Sequence, residues 1–501
     1  MQLKTQRGAA ASARQVLEYK WVVLITTTIG VAMASLDNSI LTISLPDIMH
    51  SVNASVVEVM WMVMGYSLII TALLLPFGRL ADMKGRVRLF NAGFVLFTVA
   101  SALCGLSQTG SQLVLFRLLQ GIGSAFLFSN SVALLTDAFP ANERGMALGV
   151  NMMCATSGFI MGMVFGGVIT QFLGWRYIFF VNVPIGIFAA GWCFLKLRES
   201  SDPDREARFD IGGIVSFPLA VACILAALTF VTLGQWGSNT TDLLFAAGAA
   251  LLVLFFMIER RVREPMMDLT LFRIRLFWAG NSALFLNALS RGATMFIMSW
   301  YFQAVLQDEP VIAGLKVLPL ALIMGLAAPV AGRLADRLGS RLLATMGLMG
   351  TCVAMLWMST FEVHVAYPVL AAALVILGAS NAFFNTPNTS AVMSAVPAGR
   401  RGVAAGTRTL LLNSGQTMAI ALTMAIVSTT MSYQTLVDLF SGSAAAAQNL
   451  DGQAFMDGLH KLFLVSFGLS AIGVVCSALR GKEHPLDVED LTLLEHEAAV
   501  A

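Results

Sequence analysis

Gly78-Arg-Leu-Ala-Asp82-Met-Lys-Gly85-Arg86 and, half a chain later, Gly332-Arg-Leu-Ala-Asp336-Arg-Leu-Gly339-Ser-Arg341 decide how this sequence folds. Each lies between two apolar runs, near 57–77 and 89–107 for the first copy and near 311–331 and 342–361 for the second. A charged link this short between long apolar runs is a tight turn at a membrane surface, and Gly78 and Gly85 supply the backbone freedom that the turn needs. Its recurrence marks an internal repeat, the pattern of two parallel halves around a central site.

On either side of these links, runs of about 20 apolar residues, the length that crosses a bilayer, continue from Trp21 to Arg480. They predict fourteen spans, near 21–45, 57–77, 89–107, 112–136, 146–170, 177–197, 211–233, 242–258, 277–304, 311–331, 342–361, 366–394, 402–430 and 460–480. Hydrophobic residues make up 57% of the 501 and charged residues 12%, a composition that suits a bilayer better than water. The expectation is an all-α integral membrane protein with a cytoplasmic N-terminus (1–20), a six-helix bundle (21–200), two additional helices (201–262), a second six-helix bundle (263–482) and a cytoplasmic tail (483–501).

The basic residues set the orientation. Arg79, Lys84, Arg86 and Arg88, then Lys196, Arg198, Arg205 and Arg208, then Arg260, Arg261, Arg263, Arg273 and Arg275, and finally Arg333, Arg337, Arg341, Arg400 and Arg401 all fall in loops on one side. The opposite loops at Pro46–Val56, Gln307–Pro310 and Ser432–Leu459 contain almost none. By the positive-inside rule the basic side and both termini are cytoplasmic, which places a multi-pass protein in a cell's inner (plasma) membrane. The apolar run after Lys4, Arg7, Arg14 and Lys20 is too long for a signal-peptide core and remains as a span.

Several functions are excluded. A net charge of +2 with dispersed basic residues gives no nucleic-acid surface. Six cysteines lie in apolar runs without metal-ligand or disulfide spacing, and read as packing residues. There is no P-loop, no HExxH, no GxSxG in a plausible setting and no histidine cluster, so neither an enzyme nor an ATP-driven pump is expected, with no cofactor and no metal.

Four further stretches carry chemistry. Leu36-Asp37-Asn38-Ser39-Ile40-Leu41-Thr42-Ile43-Ser44-Leu45-Pro46 puts a carboxylate inside the first span. Ionised, it is costly there, which makes Asp37 either a proton carrier or a counter-ion for a cationic substrate. Leu113-x3-Arg117-x2-Gln120-Gly121-x-Gly123 puts a guanidinium inside the fourth span, where it needs an acceptor. Gly149-x8-Gly158-x3-Gly162-Met163-x2-Gly166-Gly167 lets the fifth span pack closely and bend. Gly174-Trp-Arg176-Tyr-Ile-Phe-Phe-Val-Asn182-Val-Pro184-Ile-Gly186 opens the sixth span, with Arg176 as an edge anchor.

With the repeated loop, these motifs resemble the fourteen-helix drug:proton antiporter branch of the major facilitator superfamily over nearly the whole chain. The resemblance implies that Gly78, Asp82, Gly85 and Arg86, with Asp137 and the second-copy Asp336, form a cytoplasmic gating latch in which Asp82 can sit at the positive N-terminus of the third helix. It implies that Gly149, Gly158, Gly162, Gly166 and Gly167 are the antiporter glycines, although Met163 replaces the motif's proline. Asp37, Glu58 and Arg117 all fall in the non-cytoplasmic halves of their helices and could approach one another as a proton-coupling group.

The second half is polar rather than acidic. Asn287 and Arg291 in the ninth span, Asn381, Asn385 and Asn388 on one face of the twelfth, and Asn413 in the thirteenth line a substrate cavity with Asp37, or else tie helices together. The absence of acids from the tenth, twelfth and thirteenth spans speaks against a dicationic substrate and leaves monocationic, neutral and anionic compounds open. The expected function is proton-coupled export of small amphipathic compounds, of the multidrug or cationic toxic kind, by a chain compatible with a monomer. The alternative is an exporter or symporter of one metabolite or lipid-like molecule.

Overall fold

The computed structural model describes residues 2–140, 143–199, 211–262, 267–292, 294–363, 365–397, 400–431, 435 and 452–481. The predicted tail at 483–501, the link at 201–210 and most of the loop at 432–459 lie outside the described residues. Those described are helical throughout, without a strand, because in lipid a helix satisfies its own backbone polar groups. Thirteen helices among them are long and apolar enough to cross a membrane.

The chain divides into two compact units. The first contains α1 (Gln2–Ser51), α2 (Val56–Lys84), α3 (Arg86–Leu106), α4 (Gly110–Ala138), α5 (Arg144–Leu173), α6 (Tyr177–Phe180) and α7 (Asn182–Lys196). Helix starts are capped as polar residues before apolar runs dictate: Ser55 and Glu58 form a reciprocal capping box on α2, and Thr109 accepts from the Gln112 amide at α4. Helix α1 packs on α5, and α4 packs on both α2 and α3. Between them lies a core of Phe90, Phe94, Phe97, Leu127, Leu135 and Phe139. Close approach depends on small residues: a Cβ added to Gly123 would stand 2.6 Å from the Phe97 amide nitrogen. The opposite faces meet lipid, as at Phe194 and Leu195 of α7, each 77% exposed.

The repeated link is a turn at one residue in each copy. Gly85 joins α2 to α3 at φ +105°, and Gly339 joins the corresponding helices of the second unit at φ +86°; each donates its amide to the carbonyl four residues back. A residue with a Cβ is strained there. Gly78 takes no part in the turn, contrary to the expectation, because α2 continues as helix to Lys84 and leaves Gly78 inside it with open space around it. Nor does Asp82 occupy the start of α3. The Glu199 carboxylate accepts from the amides of Val87 and Arg88, each at 3.2 Å, and so caps that helix from the far end of the unit.

The second unit contains α8 (Ile211–Thr232), α9 (Asn239–Glu259), α10 (Arg275–Arg291), α11 (Thr294–Trp300), α12 (Pro310–Leu338), α13 (Ser340–Met358), α14 (Tyr367–Ser394), α15 (Arg401–Val427) and α16 (Gly452–Ala478). Its boundary falls at 209/210, apart from 309–314, which cluster with the first unit. The additional pair, α8 and α9, packs on itself and places α8 against α15. The ninth expected span is described as α10 to Arg291 and α11 from Thr294, followed by a π-helical turn at Tyr301–Val305. Gly292, still in helical conformation, lies against the Ala288 carbonyl, Gln416 and Ala419, with no room for a side chain. The sixth span runs through α6 and α7 together, Tyr177–Lys196, with Val181 between them in helical conformation.

Candidate functional site

Asp37 and Arg117, 80 residues apart in sequence, form an ion pair of 2.5 Å with both side chains fully buried. Helix α1 brings the carboxylate and α4 the guanidinium, and two further helices complete the shell. Asp37 Oδ1 accepts from Gln120 Nε2 at 2.9 Å and from Asn182 Nδ2 at 2.8 Å, while Oδ2 takes Arg117 Nη1. Arg117 also donates through Nε to the Met62 carbonyl at 3.2 Å and through Nη1 to Gln120 Oε1 at 2.6 Å, and its guanidinium stacks over the Tyr66 ring at 4.0 Å. Gln120 reaches Ser101 Oγ at 2.7 Å, and the Tyr66 hydroxyl shares a hydrogen bond with Ser124 at 2.7 Å.

Three donors hold one carboxylate, and the pair's charges cancel. A buried pair of this kind depends on its hydrogen bonds for stability, and here Arg117 Nη2 is buried without a partner. A proton delivered to Asp37 would therefore do more than neutralise it: it would leave Arg117 as an uncompensated cation among apolar helices. One proton can thus change the charge of the whole cluster.

Glu58 does not join this pair. Its carboxylate accepts from the Ser55 amide at 2.8 Å, the Ser55 hydroxyl at 3.0 Å and the Ser111 hydroxyl at 2.5 Å, all at the end of α2, where an acidic residue meets unsatisfied helix amides. Gln120 and Asn182, in contrast, belong to the shell without having been expected there. Each is a lone amide within an apolar run, the one available signal, and its partner comes from a distant helix.

Three of the five α5 glycines act on the same element. Gly158, Gly162 and Gly166 lie against the α1 backbone at Ala32, Leu36 and Ile40, the positions that bracket Asp37. Gly149 has open space, and Gly167 faces residues outside α1. Met163, in the place of the motif proline, is buried and continues α5 as unbroken helix.

In the cluster expected at the cytoplasmic face, Arg86 meets Asp82 at 2.7 Å and Asp137 at 2.5 Å, tying the α2–α3 turn to the end of α4. The side chain of Asp336 lies outside the described residues. The remaining five residues expected in a cavity belong to the second unit. Asn381 Oδ1 accepts from Asn385 Nδ2 at 2.6 Å and from Asn287 Nδ2 at 3.4 Å, and Asn381 Nδ2 points at Met324 Sδ, 2.9 Å away. Arg291 stands one turn beyond Asn287 on α10, its Nε buried without a hydrogen-bond partner. Asn413 is half-buried on α15, separate from the amide cluster.

Comparison with known proteins agrees with this layout. The chain is 32% identical over 389 residues to the riboflavin transporter RibZ of Clostridioides difficile, covering 77% of this chain and 83% of that one. It is 31% identical over 401 residues to the tetracenomycin C resistance and export protein of Streptomyces glaucescens (80% and 74% covered). It is 32% identical over 410 residues to the multidrug resistance protein Stp of Mycobacterium tuberculosis (82% and 76% covered). Its fold matches a bacterial homologue of the human lysosomal transporter Spinster, solved in an inward-facing, unoccupied conformation, with a TM-score of 0.66 at 17% identity, covering 92% and 97% of the two chains. The Major Facilitator Superfamily model matches residues 27–419 and again 280–479. With an all-helical fold, a duplicated turn motif and a family model spanning most of its length, this chain belongs to the Major Facilitator Superfamily.

Proposed function

We propose that this chain is a proton-coupled exporter of small amphipathic compounds, in the fourteen-helix drug:proton antiporter branch, seated in the inner membrane with both termini cytoplasmic. The observation that carries the reading is the buried Asp37–Arg117 pair, whose carboxylate accepts from Arg117, Gln120 and Asn182. Asp37 takes the proton, Arg117 senses it, and Gln120 and Asn182 hold the carboxylate in place. A membrane potential of about 100 mV supplies about 2.3 kcal/mol per charge moved, enough for more than a tenfold substrate gradient per proton. Asp82, Arg86 and Asp137 serve as the cytoplasmic latch, the α5 glycines let α1 shift against α5, and Asn287, Arg291, Asn381, Asn385 and Asn413 line the substrate path. Relatives named for multidrug resistance and for export support this direction of transport.

The relative named as a riboflavin transporter favours a second reading, in which the cargo is one specific metabolite. Efflux separates the two. Energised cells are loaded with ethidium, with carboxyfluorescein or with riboflavin, each fluorescent, and efflux is followed with and without an uncoupler in wild type and Asp37→Asn. Uncoupler-sensitive loss of either dye, abolished in Asp37→Asn, supports multidrug export; movement of riboflavin alone supports the second reading. Efflux that persists unchanged in Asp37→Asn would sink the role given to Asp37.

A further inference from the structure

The two units handle buried positive charge differently. In the first, the guanidinium of Arg117 has Asp37. In the second, Arg291 on α10 and Arg408 on α15 both have a buried Nε without a hydrogen-bond partner, and neither forms an ion pair among the described residues. Acids are scarce around them among the described residues: α8, α10, α11, α13, α14 and α15 contain no Asp or Glu, α9 has Asp242 in its first turn and Glu259 at its end, α12 has only Asp336 in its last turn, and α16 has only Asp457 near its start.

The two arginines border one seam. Gly415 of α15 lies against Phe285 and Ala288 of α10, and Gly292 lies against Gln416 and Ala419, so the two helices run side by side in the same direction. Arg408 precedes Gly415 by two turns and shares its face. Arg291 follows the contact by about one turn, which places the two arginine backbone positions roughly 15 Å apart along the seam. Arg291 shares a helix face with Asn287, whose amide meets Asn381 and whose own Oδ1 is buried without a partner. Both arginines are half-buried as whole residues, so the inner nitrogen is sealed while surface remains reachable.

An uncompensated guanidinium inside a membrane protein is costly, and the cost persists where something else supplies the counter-charge. We infer that Arg291 is an anchor for an anionic group, a carboxylate or sulfonate, on the transported amphipathic compound, with Arg408 as a second cation that raises the positive potential along the seam. This rests on the export reading and narrows it: the favoured cargo carries a negative charge, and the neighbouring amides Asn287, Asn381 and Asn385 serve its polar groups. A guanidinium suits this task through its planar, always-charged donor set. The same two charges disfavour a cation at this place, consistent with the scarcity of acids on the surrounding helices.

The test is binding, without any proton gradient. Purified full-length protein in neutral phosphatidylcholine nanodiscs is titrated with dansylglycine, an anion at neutral pH, and with dansylglycinamide, its uncharged analogue, following dansyl fluorescence. Wild type is expected to bind the anion about tenfold more tightly than the amide. Arg291→Gln is expected to remove that preference, its folding checked by a thermal melt matching wild type; Arg291→Lys is expected to keep part of it, and Arg408→Gln to reduce it. Equal affinity for both probes in wild type, or an anion preference unchanged in Arg291→Gln, overturns the inference. Phosphatidylglycerol added to the nanodiscs separates a lipid headgroup from a cargo: if it alone, and not dansylglycine, distinguishes wild type from Arg291→Gln, the cargo assignment falls. An Arg291-dependent anion preference without uncoupler-sensitive efflux refutes the export reading only. Uncoupler-sensitive ethidium efflux without any anion preference refutes this inference only.

Discussion

Removing Asp37 while keeping Arg117 leaves a fully buried guanidinium with only the Met62 carbonyl and Gln120 Oε1 to accept from it. Breaking a buried ion pair on one side costs about 3–5 kcal/mol, because the remaining charge stays out of water. Asp37→Leu also strands the Asn182 amide, which donates to Asp37, at about 1–3 kcal/mol. Arg117→Met should cost a similar amount by leaving the carboxylate alone. The double variant Asp37→Leu/Arg117→Met removes both charges, so it should be less destabilised than the sum of the singles by roughly 3 kcal/mol or more, and even less than either single if packing is kept. The assay is reversible denaturation in mixed detergent micelles, reading the unfolding free energy of all four proteins of the cycle at neutral pH. Additive costs would refute the reasoning, since additivity means that the two groups do not depend on each other for stability.

Other consequences separate fold from function. Gly162→Val should destabilise by about 1–3 kcal/mol through overpacking, because a Cβ there meets Ser39 Oγ and the Leu36 carbonyl, whereas Gly149→Ala, in open space, should unfold at the wild-type point; equal behaviour of the two in a thermal melt would contradict the α1–α5 packing. Glu58→Ala should cost about 1 kcal/mol as a lost helix cap and leave any uncoupler-sensitive efflux unchanged, and a coupling defect without a stability defect would return Glu58 to the proton path. Arg86→Ala removes a half-exposed pair and should change stability by at most about 1 kcal/mol; a large loss of transport on that background, measured by dye efflux, is what a latch predicts, and wild-type efflux would remove that role.

Much of the architecture was legible because it is written locally. Each span announces itself by its own apolar length, and the GRLAD repeat marks equivalent turns without knowledge of any contact. The π-helical turn at Tyr301–Val305, near the end of the ninth span, has no such local signature, since the apolar run continues through it. Gly78 and Asp82 were misplaced because a motif tells which residues occur at a turn but not which residue turns. Glu199, more than 100 residues away, takes the helix end that Asp82 was expected to fill.

The site divides in the same manner. That Asp37, Arg117 and Arg291 matter could be read from one dimension, since a charge in an apolar run carries a cost wherever the helix goes. Which of them are compensated could not. Glu58 and Asp37 are both acids in early spans, yet one caps a helix and the other accepts from Arg117, Gln120 and Asn182, on two further helices. Spans and turns follow from short-range sequence because lipid forces every segment to satisfy its own backbone. Charge pairing follows from the tertiary structure because a guanidinium's partner is set by which helices lie side by side, and among the described residues the helices beside Arg291 and Arg408 bring none.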